Sequence, residues 1–241
     1  MARLIIPSHG ISNFIQVMIT SNYIVHDCET GGLYEDKNPI TQYACIILDG
    51  KTLKEIDRYE TFVKPYADLV IEDVALKKTM VTMSDIKNGI SVKEFVNTTH
   101  DLWKQYQGKA KWEDARRLVS VGHNIPFDHR MLNWAFQYCK KGSIWQLLQD
   151  SFIDTMVLTK MTWGINGNEK ITLSDAVRYA KLKITDAHGA MNDVEATADL
   201  FRWFTKKLRS KKGEASAEKE VKERVKGQEF FEFQCANRTT K

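Results

Sequence analysis

The chain has 241 residues, of which 27% are charged and 43% hydrophobic, proportions typical of one sizeable globular domain with an appendage or of two small domains. No apolar run approaches the roughly 20 residues that cross a bilayer, and residues 7–10 (Pro-Ser-His-Gly) interrupt the order of a secretory signal. The four cysteines show neither a close pair nor a metal-binding spacing. We therefore expect a cytoplasmic protein (intracellular, non-secreted) with reduced thiols, which argues against membrane and disulfide-rich secreted classes.

The net charge of +4 is unevenly distributed along the chain. Residues 206–226 carry nine Lys or Arg against four Glu, and the rest of the chain is about neutral. A basic segment beside a neutral body suggests a polyanion or an acidic partner, although a solvated charged helix explains it equally well. We predict an N-terminal extension at 1–21, a folded domain at 22–208, and a charged linker with an aromatic tail at 209–241.

The first clear element is a strand that begins at residues 23–26 (Tyr-Ile-Val-His), where β-branched and aromatic residues favour extended backbone. It runs through Asp27 and Glu29 and ends at a glycine turn. Side chains two residues apart share one face of a strand, so these two carboxylates point the same way. They repel each other unless a cation lies between them, and hard divalent cations take carboxylate oxygens. On its own, an Asp-x-Glu pair is more often a solvated strand end.

The next two predicted strands are Ile40–Leu48 and residues 55–63, joined at the hairpin signal Asp49-Gly50. Residues 4–6 add a further short apolar run of strand type. Three consecutive strands with tight connections predict an antiparallel meander at the start of a mixed sheet.

The second part of the chain alternates between helical and strand patterns. In chain order we predict a helix opened by the capping-box pair Ser91 and Glu94, a buried strand at 118–122, a helix over about 129–141, a short strand at 152–155, a helix from Leu173 to about 181, and a long helix from Ala190. This alternation indicates an α/β domain with helices packed on a sheet.

Three short segments stand out, and they occur along the chain in this order: residues 27–33 (DCETGGL), 122–128 (GHNIPFD) and 188–193 (HGAMND). Together they resemble the DEDDh branch of the proofreading-type, ribonuclease H-like 3′→5′ exonucleases. Residues 152–155 (FIDT) are similar to a segment that these enzymes carry between the second and third motifs. The resemblance covers about residues 22–205. It implies a mixed α/β sheet, antiparallel in its first three strands and then parallel, flanked by helices.

The resemblance also implies a chemistry. Phosphodiester hydrolysis needs an activated water and neutralisation of the developing charge, which two metal ions about 4 Å apart provide. The implied ligands of two Mg²⁺ ions, for which Mn²⁺ can substitute, are Asp27, Glu29, Asp128 and Asp193, with Asp27 bridging both ions. His188 is the implied general base, since imidazole titrates near neutrality, and we expect it to lie on a mobile loop.

Substrate-binding residues also follow from the resemblance. The residues implied to meet the terminal nucleotide are Thr30, Gly31, Gly32 and Leu33, and those implied to line the substrate cleft are Asn124 and Phe127. A core role for Phe127 and a helix-capping role for Asn124 remain alternatives. The chain departs from the usual family turn by having Gly31 before Gly32. We assign no metal role to a further set of nearby side chains: His26, His123, His129 and Asp154.

The predicted function is hydrolysis of single-stranded nucleic acid from its 3′ end to nucleoside monophosphates, with DNA favoured and a link to proofreading or replication. An RNA-trimming exoribonuclease of the same family is the first alternative, and a catalytically silent nucleic-acid-binding module the second. Residues that could guide or stack on the strand are Lys109, Lys111, Arg116, Arg117, Trp112 and Trp163. Residues 228–233 (QEFFEF) could dock on a polymerase or a sliding clamp, or pack on their own domain. We expect no membrane partner.

Overall fold

The computed structural model describes residues 21–79, 81–108, 116–183 and 189–208. Its strands are β1 Tyr23–Thr30, β2 Ile40–Leu48, β3 Glu55–Phe62, β4 Val119–Gly122 and β5 Ile153–Asp154. Its helices are α1 Asp73–Thr79, α2 Met83–Asn88, α3 Val92–Gln105, α4 Pro126–Tyr138, α5 Thr155–Trp163, α6 Leu173–Tyr179 and α7 Ala190–Leu208, with a 3₁₀ turn at Ile144–Gln146.

The five strands form one mixed sheet in the order β3-β2-β1-β4-β5. β1 pairs antiparallel with β2, and β2 pairs antiparallel with β3. β4 pairs parallel with β1, and β5 parallel with β4. The sheet therefore confirms the predicted fold class, with three antiparallel strands followed by parallel ones and helices around them. Because β1 and β4 are parallel, their carboxyl ends meet at the same edge, where α/β proteins place their sites.

The sheet is covered on both faces, which explains why every residue of β2 is buried. Alternate β1 residues separate onto the two faces. Ile24 and Cys28 belong to the core cluster that contains residues of α3 and α4. Tyr23 and Val25 belong to the cluster that contains Ala190, Val194, Ala198 and Phe201 of α7. The odd-numbered residues of β1 therefore face α7, and Asp27 and Glu29 continue that series.

One predicted helix begins earlier in the structure than expected, and another begins where it was predicted. The helix expected at 129–141 begins at Pro126, because proline fits the first helical turn, where a backbone donor has no partner. Asp128 consequently lies inside the first turn of α4 rather than ahead of the helix. The helix expected after Ser91 is present as α3, and the Ser91 hydroxyl accepts a hydrogen bond from the Glu94 N–H at 3.2 Å.

Several short helices were not predicted from the sequence. α2 begins with a complete capping box between Thr82 and Asp85, whereas α1 has no buried residue. α5 begins directly after β5, and its N-terminal cap is Asp154, whose carboxylate accepts from the Met156 N–H. The short apolar stretches of these helices lack the repeated period that identifies a long amphipathic helix.

Some predictions concern residues outside the described ranges. These are the strand at residues 4–6, part of the basic loop with Lys109, Lys111 and Trp112, the base His188, and the tail at 228–233. By its internal contacts the chain divides into Met1–Phe201 and Arg202–Lys241, and the site below lies in the first unit. Among the described helices, none combines the length and the apolar character needed to cross a membrane.

Candidate active site

Three carboxylates meet where β1 approaches its end. Asp27, Glu29 and Asp193 each offer an oxygen, and these oxygens lie within 4.8 Å of one another. β1 supplies two of them on the face that α7 covers, and the first turn of α7 supplies the third. Such an all-oxygen donor set fits a hard divalent cation such as Mg²⁺ better than a thiophilic metal.

Asp128 joins this group from the opposite side of β1. Its side chain is 3% exposed, and its Oδ1 accepts a hydrogen bond from the Cys28 N–H at 2.9 Å. This bond ties the first turn of α4 to the strand segment between Asp27 and Glu29. Asp128 lies outside the mutually close set of three, so the structure brings three of the four predicted acids into one cluster and the fourth to its border.

Burial and mutual repulsion raise the pKa values of three of these acids, namely Asp27, Glu29 and Asp128. Burial raises the pKa of Asp27 well above its ordinary value, and the charges of Asp128, Glu29 and Asp193 add to the rise. Burial and the nearby Asp193 raise the pKa of Glu29 to about 7. Burial raises the pKa of Asp128 to about 8, although the hydrogen bond from Cys28 opposes the rise. Carboxylates held together in this way have a strong preference for a cation among them.

A pH dependence of stability follows from these shifts. Glu29 and Asp128 bind a proton more tightly in the folded chain than in the unfolded chain, with pKa values near 7 and 8. Their stabilising contribution is therefore present at low pH and is lost as pH rises through those values. In EDTA, we expect the Tm to fall as pH rises from about 6.5 to about 8 and to level off above that, once both acids are ionised in the folded chain. The ordinary pKa of histidine, about 6.5, lies at the lower edge of this range.

Scanning calorimetry across this pH range tests the expectation. Asp128→Asn should flatten the fall in Tm, because the amide oxygen can still accept from Cys28 but carries no charge. Asp150→Asn, at an exposed position, makes the same chemical change elsewhere and should leave the slope intact. Added Mg²⁺ should raise the Tm most at pH 8.5. A slope shared equally by all three proteins would contradict the electrostatic account.

A cavity of about 350 Å³ opens beside the carboxylates. Four of the six predicted substrate-binding residues line it: Thr30, Gly32, Leu33 and Phe127. Gly31 lies in the turn behind them, where a Cβ would come within 2.9 Å of both the Pro39 ring and the Val70 carbonyl oxygen. Only glycine fits that close approach of two backbone segments without displacing one of them.

The remaining predicted residue, Asn124, is absent from the lining of this cavity. It is exposed and has a left-handed backbone, with φ of 62°. Its backbone N–H donates to Asp154 Oδ1 at 3.0 Å. The alternative that its side chain caps the helix is wrong, because α4 begins after Ile125 with no side-chain cap. Phe127, in contrast, both lines the cavity and packs against the core.

Sequence reasoning missed the contribution of α1 to the site. The segment at its start and along its length supplies several lining residues: Glu72, Val74, Ala75, Lys78 and Thr79. Among the described residues that line the cavity, Lys78 is the one cation, and it is exposed. The signal that could have found the helix is its charge order, with Asp73 in the first turn and Lys77 and Lys78 in the last, which suits the helix dipole.

The histidines and Asp154 that were given no metal role have structural partners. His26 Nε2 and His129 Nε2 both lie 2.8 Å from the Ser120 hydroxyl. The ring of His123 is hydrogen-bonded to the Thr155 hydroxyl and to the Ile171 carbonyl. Burial lowers the pKa of all three imidazoles. They therefore hold elements together as neutral groups.

A family model described as exonuclease (RNase_T) matches residues 24–201, most of the chain. A PolC-type DNA polymerase III from Halalkalibacterium halodurans is 27% identical over 183 residues, which cover 76% of this chain and 11% of that protein. A ribonuclease T from Marinobacter nauticus is 26% identical over 186 residues, which cover 74% of this chain and 79% of that protein.

Solved structures with a similar fold include Escherichia coli Exonuclease I in complex with a dT13 oligonucleotide. The TM-score is 0.59 at 22% identity, over 77% of this chain and 41% of that one. The zinc-bound form of its complex with single-stranded DNA gives a TM-score of 0.65 at 19% identity, over 78% of this chain and 41% of that one. The chain thus spans less than half of Exonuclease I and about a tenth of the PolC-type polymerase.

Proposed function

Because the chain belongs to the exonuclease family whose model spans residues 24–201, we propose that it is a divalent-metal-dependent 3′→5′ exonuclease. It acts on single-stranded nucleic acid, with DNA favoured, and releases nucleoside monophosphates. The observation that carries the proposal is the cluster of Asp27, Glu29 and Asp193 beside a cavity large enough for a terminal nucleotide.

The proposed cofactor is a pair of Mg²⁺ ions. Asp27, Glu29 and Asp193 would hold the first ion and Asp128 would help to hold the second, with Asp27 shared. The donor set supports this assignment, because every candidate ligand atom is a carboxylate oxygen. Burial, together with the neighbouring negative charges, raises the pKa of Asp27. When bound, such ions activate water and neutralise charge on the phosphoryl group.

The side chains of the cavity have roles that suit a terminal nucleotide. Leu33 lines the cavity and is 68% exposed. Exposing a leucine side chain to water is unfavourable, and contact with a base would remove part of its apolar surface from water. Phe127 offers an aromatic surface beside it. Lys78 supplies positive charge for a phosphate group. His188 would accept the proton of the attacking water.

We propose a catalytic domain at 22–208 and a tail that docks through residues 228–233 on a polymerase or sliding clamp, in a proofreading or replication role. The PolC-type relative supports a link to DNA synthesis. Deleting residues 228–241 separates docking from self-packing: an unchanged Tm with lost partner binding supports docking, and a lowered Tm supports packing.

An RNA-trimming activity is the second candidate, because the aligned region covers 79% of a ribonuclease T. End-labelled DNA and RNA strands of one sequence, incubated with and without Mg²⁺, test both candidates. Stepwise shortening from the 3′ end that needs Mg²⁺ supports the proposal, and the faster strand identifies the substrate. No shortening of either strand would leave the silent binding module as the better account.

A further inference from the structure

One face of α4 carries a row of aromatic and cationic side chains that starts at the active-site cavity. Phe127, Arg130, Trp134 and Tyr138 follow one another at spacings of three, four and four residues, so they lie on the same side of the helix. We call this row the α4 stripe. Phe127 belongs both to the stripe and to the cavity lining, so the two surfaces are continuous.

The side chains of the stripe form two contacting pairs. Arg130 and Tyr138 are exposed, whereas Phe127 and Trp134 are half-buried and pack against the core. The Arg130 guanidinium carbon lies 5.7 Å from the centre of the Phe127 ring. The Trp134 and Tyr138 rings are stacked at 5.3 Å with 9° between their planes. Tyr66 lies against both rings, at 6.1 and 5.7 Å. Tyr138 is nevertheless 46% exposed, and the Arg130 side chain is 52% exposed.

A second contact between a cation and an aromatic ring lies near the start of the stripe. Arg130 is within 3.6 Å of Glu35 in the loop between β1 and β2. In the same loop, the Lys37 ammonium lies 4.9 Å above the ring of Tyr34, which is 57% exposed. At the far end of the stripe, just beyond α4, Lys140 is also exposed. Exposed aromatic rings interleaved with cations are the composition of a surface that binds single-stranded nucleic acid.

The length of the stripe sets how much of a strand it can hold. Tyr138 lies eleven positions after Phe127, which corresponds to a rise of about 16 Å along a helix. Stacked nucleotides advance by about 3.4 Å each along a strand. The stripe therefore has room for roughly four or five nucleotides beyond the one in the cavity.

We propose that the α4 stripe binds the nucleotides on the 5′ side of the terminal one, with bases stacked on Trp134 and Tyr138 and a phosphate near Arg130. This inference rests on the proposed function, because it takes the cavity as the place of the 3′ end. It assigns to the chain an extended strand-binding surface, so affinity rises with strand length beyond the terminal nucleotide.

The test measures affinity against strand length for the full chain in EDTA, so that no hydrolysis occurs. Fluorescence anisotropy with labelled oligothymidylates of two to eight nucleotides gives the Kd of each. Tyr138→Ala should weaken binding of the six-nucleotide strand by roughly five- to a hundred-fold. The dinucleotide should lose less, so the gain in affinity with length becomes smaller. Tyr138→Phe keeps the ring and should restore the gain.

Tyr179→Ala is the matched control, and it also tests the competing surface at Trp163, which the sequence left as a candidate for stacking on the strand. Tyr179 is 40% exposed and lies 5.5 Å from the Trp163 ring at 29°, a tyrosine–tryptophan stack outside the cavity lining. It should leave the length dependence unchanged, and the Tm of each variant reports on folding. The proposal would be wrong if affinity rose with strand length equally in Tyr138→Ala and in the unmodified chain. It would also be wrong if Tyr179→Ala reduced this rise as much as Tyr138→Ala does.

The outcomes separate this inference from the proposed function. If the chain shortens strands in Mg²⁺ but its affinity does not rise with strand length, the exonuclease proposal stands and the α4 stripe is not a binding surface. If affinity rises with strand length through Tyr138 but no strand is ever shortened, the α4 stripe is a binding surface and the exonuclease proposal fails.

Discussion

Replacing Asp193 by asparagine is expected to slow Mg²⁺-dependent shortening of a single strand by about a thousand-fold. The amide has nearly the shape of the carboxylate, so the first turn of α7 and its bond from the Asp193 N–H to the Gly189 carbonyl can persist. The variant removes one negative charge from a set of three oxygens within 4.8 Å. Metal-based charge stabilisation supplies several kcal/mol, and about 4 kcal/mol corresponds to a thousand-fold change in rate.

Single-turnover rates on an end-labelled strand at saturating Mg²⁺ measure this effect. Asp150→Asn is the matched control, since it makes the same substitution at an exposed position outside the cavity lining, and it should keep the full rate. The Mg²⁺-induced rise in Tm should shrink in Asp193→Asn and persist in Asp150→Asn. Full activity in Asp193→Asn would place the chemistry somewhere other than this cluster.

The sequence is most informative where a local pattern determines the structure. The bounds of β2 agree with the prediction at both ends, because a continuous apolar run between a turn signal and a polar segment has few alternatives. The shared face of Asp27 and Glu29 follows from strand geometry alone. The position of Asp193 beside these two carboxylates does not follow from strand geometry, because it also requires α7 to cover the same face of β1. The resemblance of the three segments to the exonuclease motifs implied this position, but no physical argument from the sequence derived it.

The sequence is least informative where contacts join distant segments. The bond from the Cys28 N–H to Asp128 spans 100 residues, and no local pattern predicts it. The backbone N–H of Asn124, a residue with φ of 62°, donates to Asp154 across 30 residues, another contact that no local pattern predicts. The part of α1 in the cavity was missed because a seven-residue helix with no buried residue has too few apolar positions to show a period.

The second large effect is expected at His188. A general base must titrate near the working pH and reach the attacking water. The four histidines in the described ranges do not suit this role. His26, His123 and His129 are hydrogen-bonded inside the domain with lowered pKa values, and His100 is hydrogen-bonded to Asp101. None of these four lines the cavity.

His188 itself lies outside the described residues, but its position in the sequence is favourable, two residues before α7 begins and five before Asp193. Loss of a general base typically costs 10²- to 10⁴-fold in rate, so we expect roughly that loss in His188→Ala. His100→Ala should remain fully active. The rate of the unmodified chain should fall below a pH of about 6.5, and this dependence should weaken in His188→Ala, with added imidazole restoring part of the rate. Unchanged kinetics in His188→Ala would show that water activation needs no imidazole at this position, leaving the carboxylate cluster as the whole of the catalytic machinery.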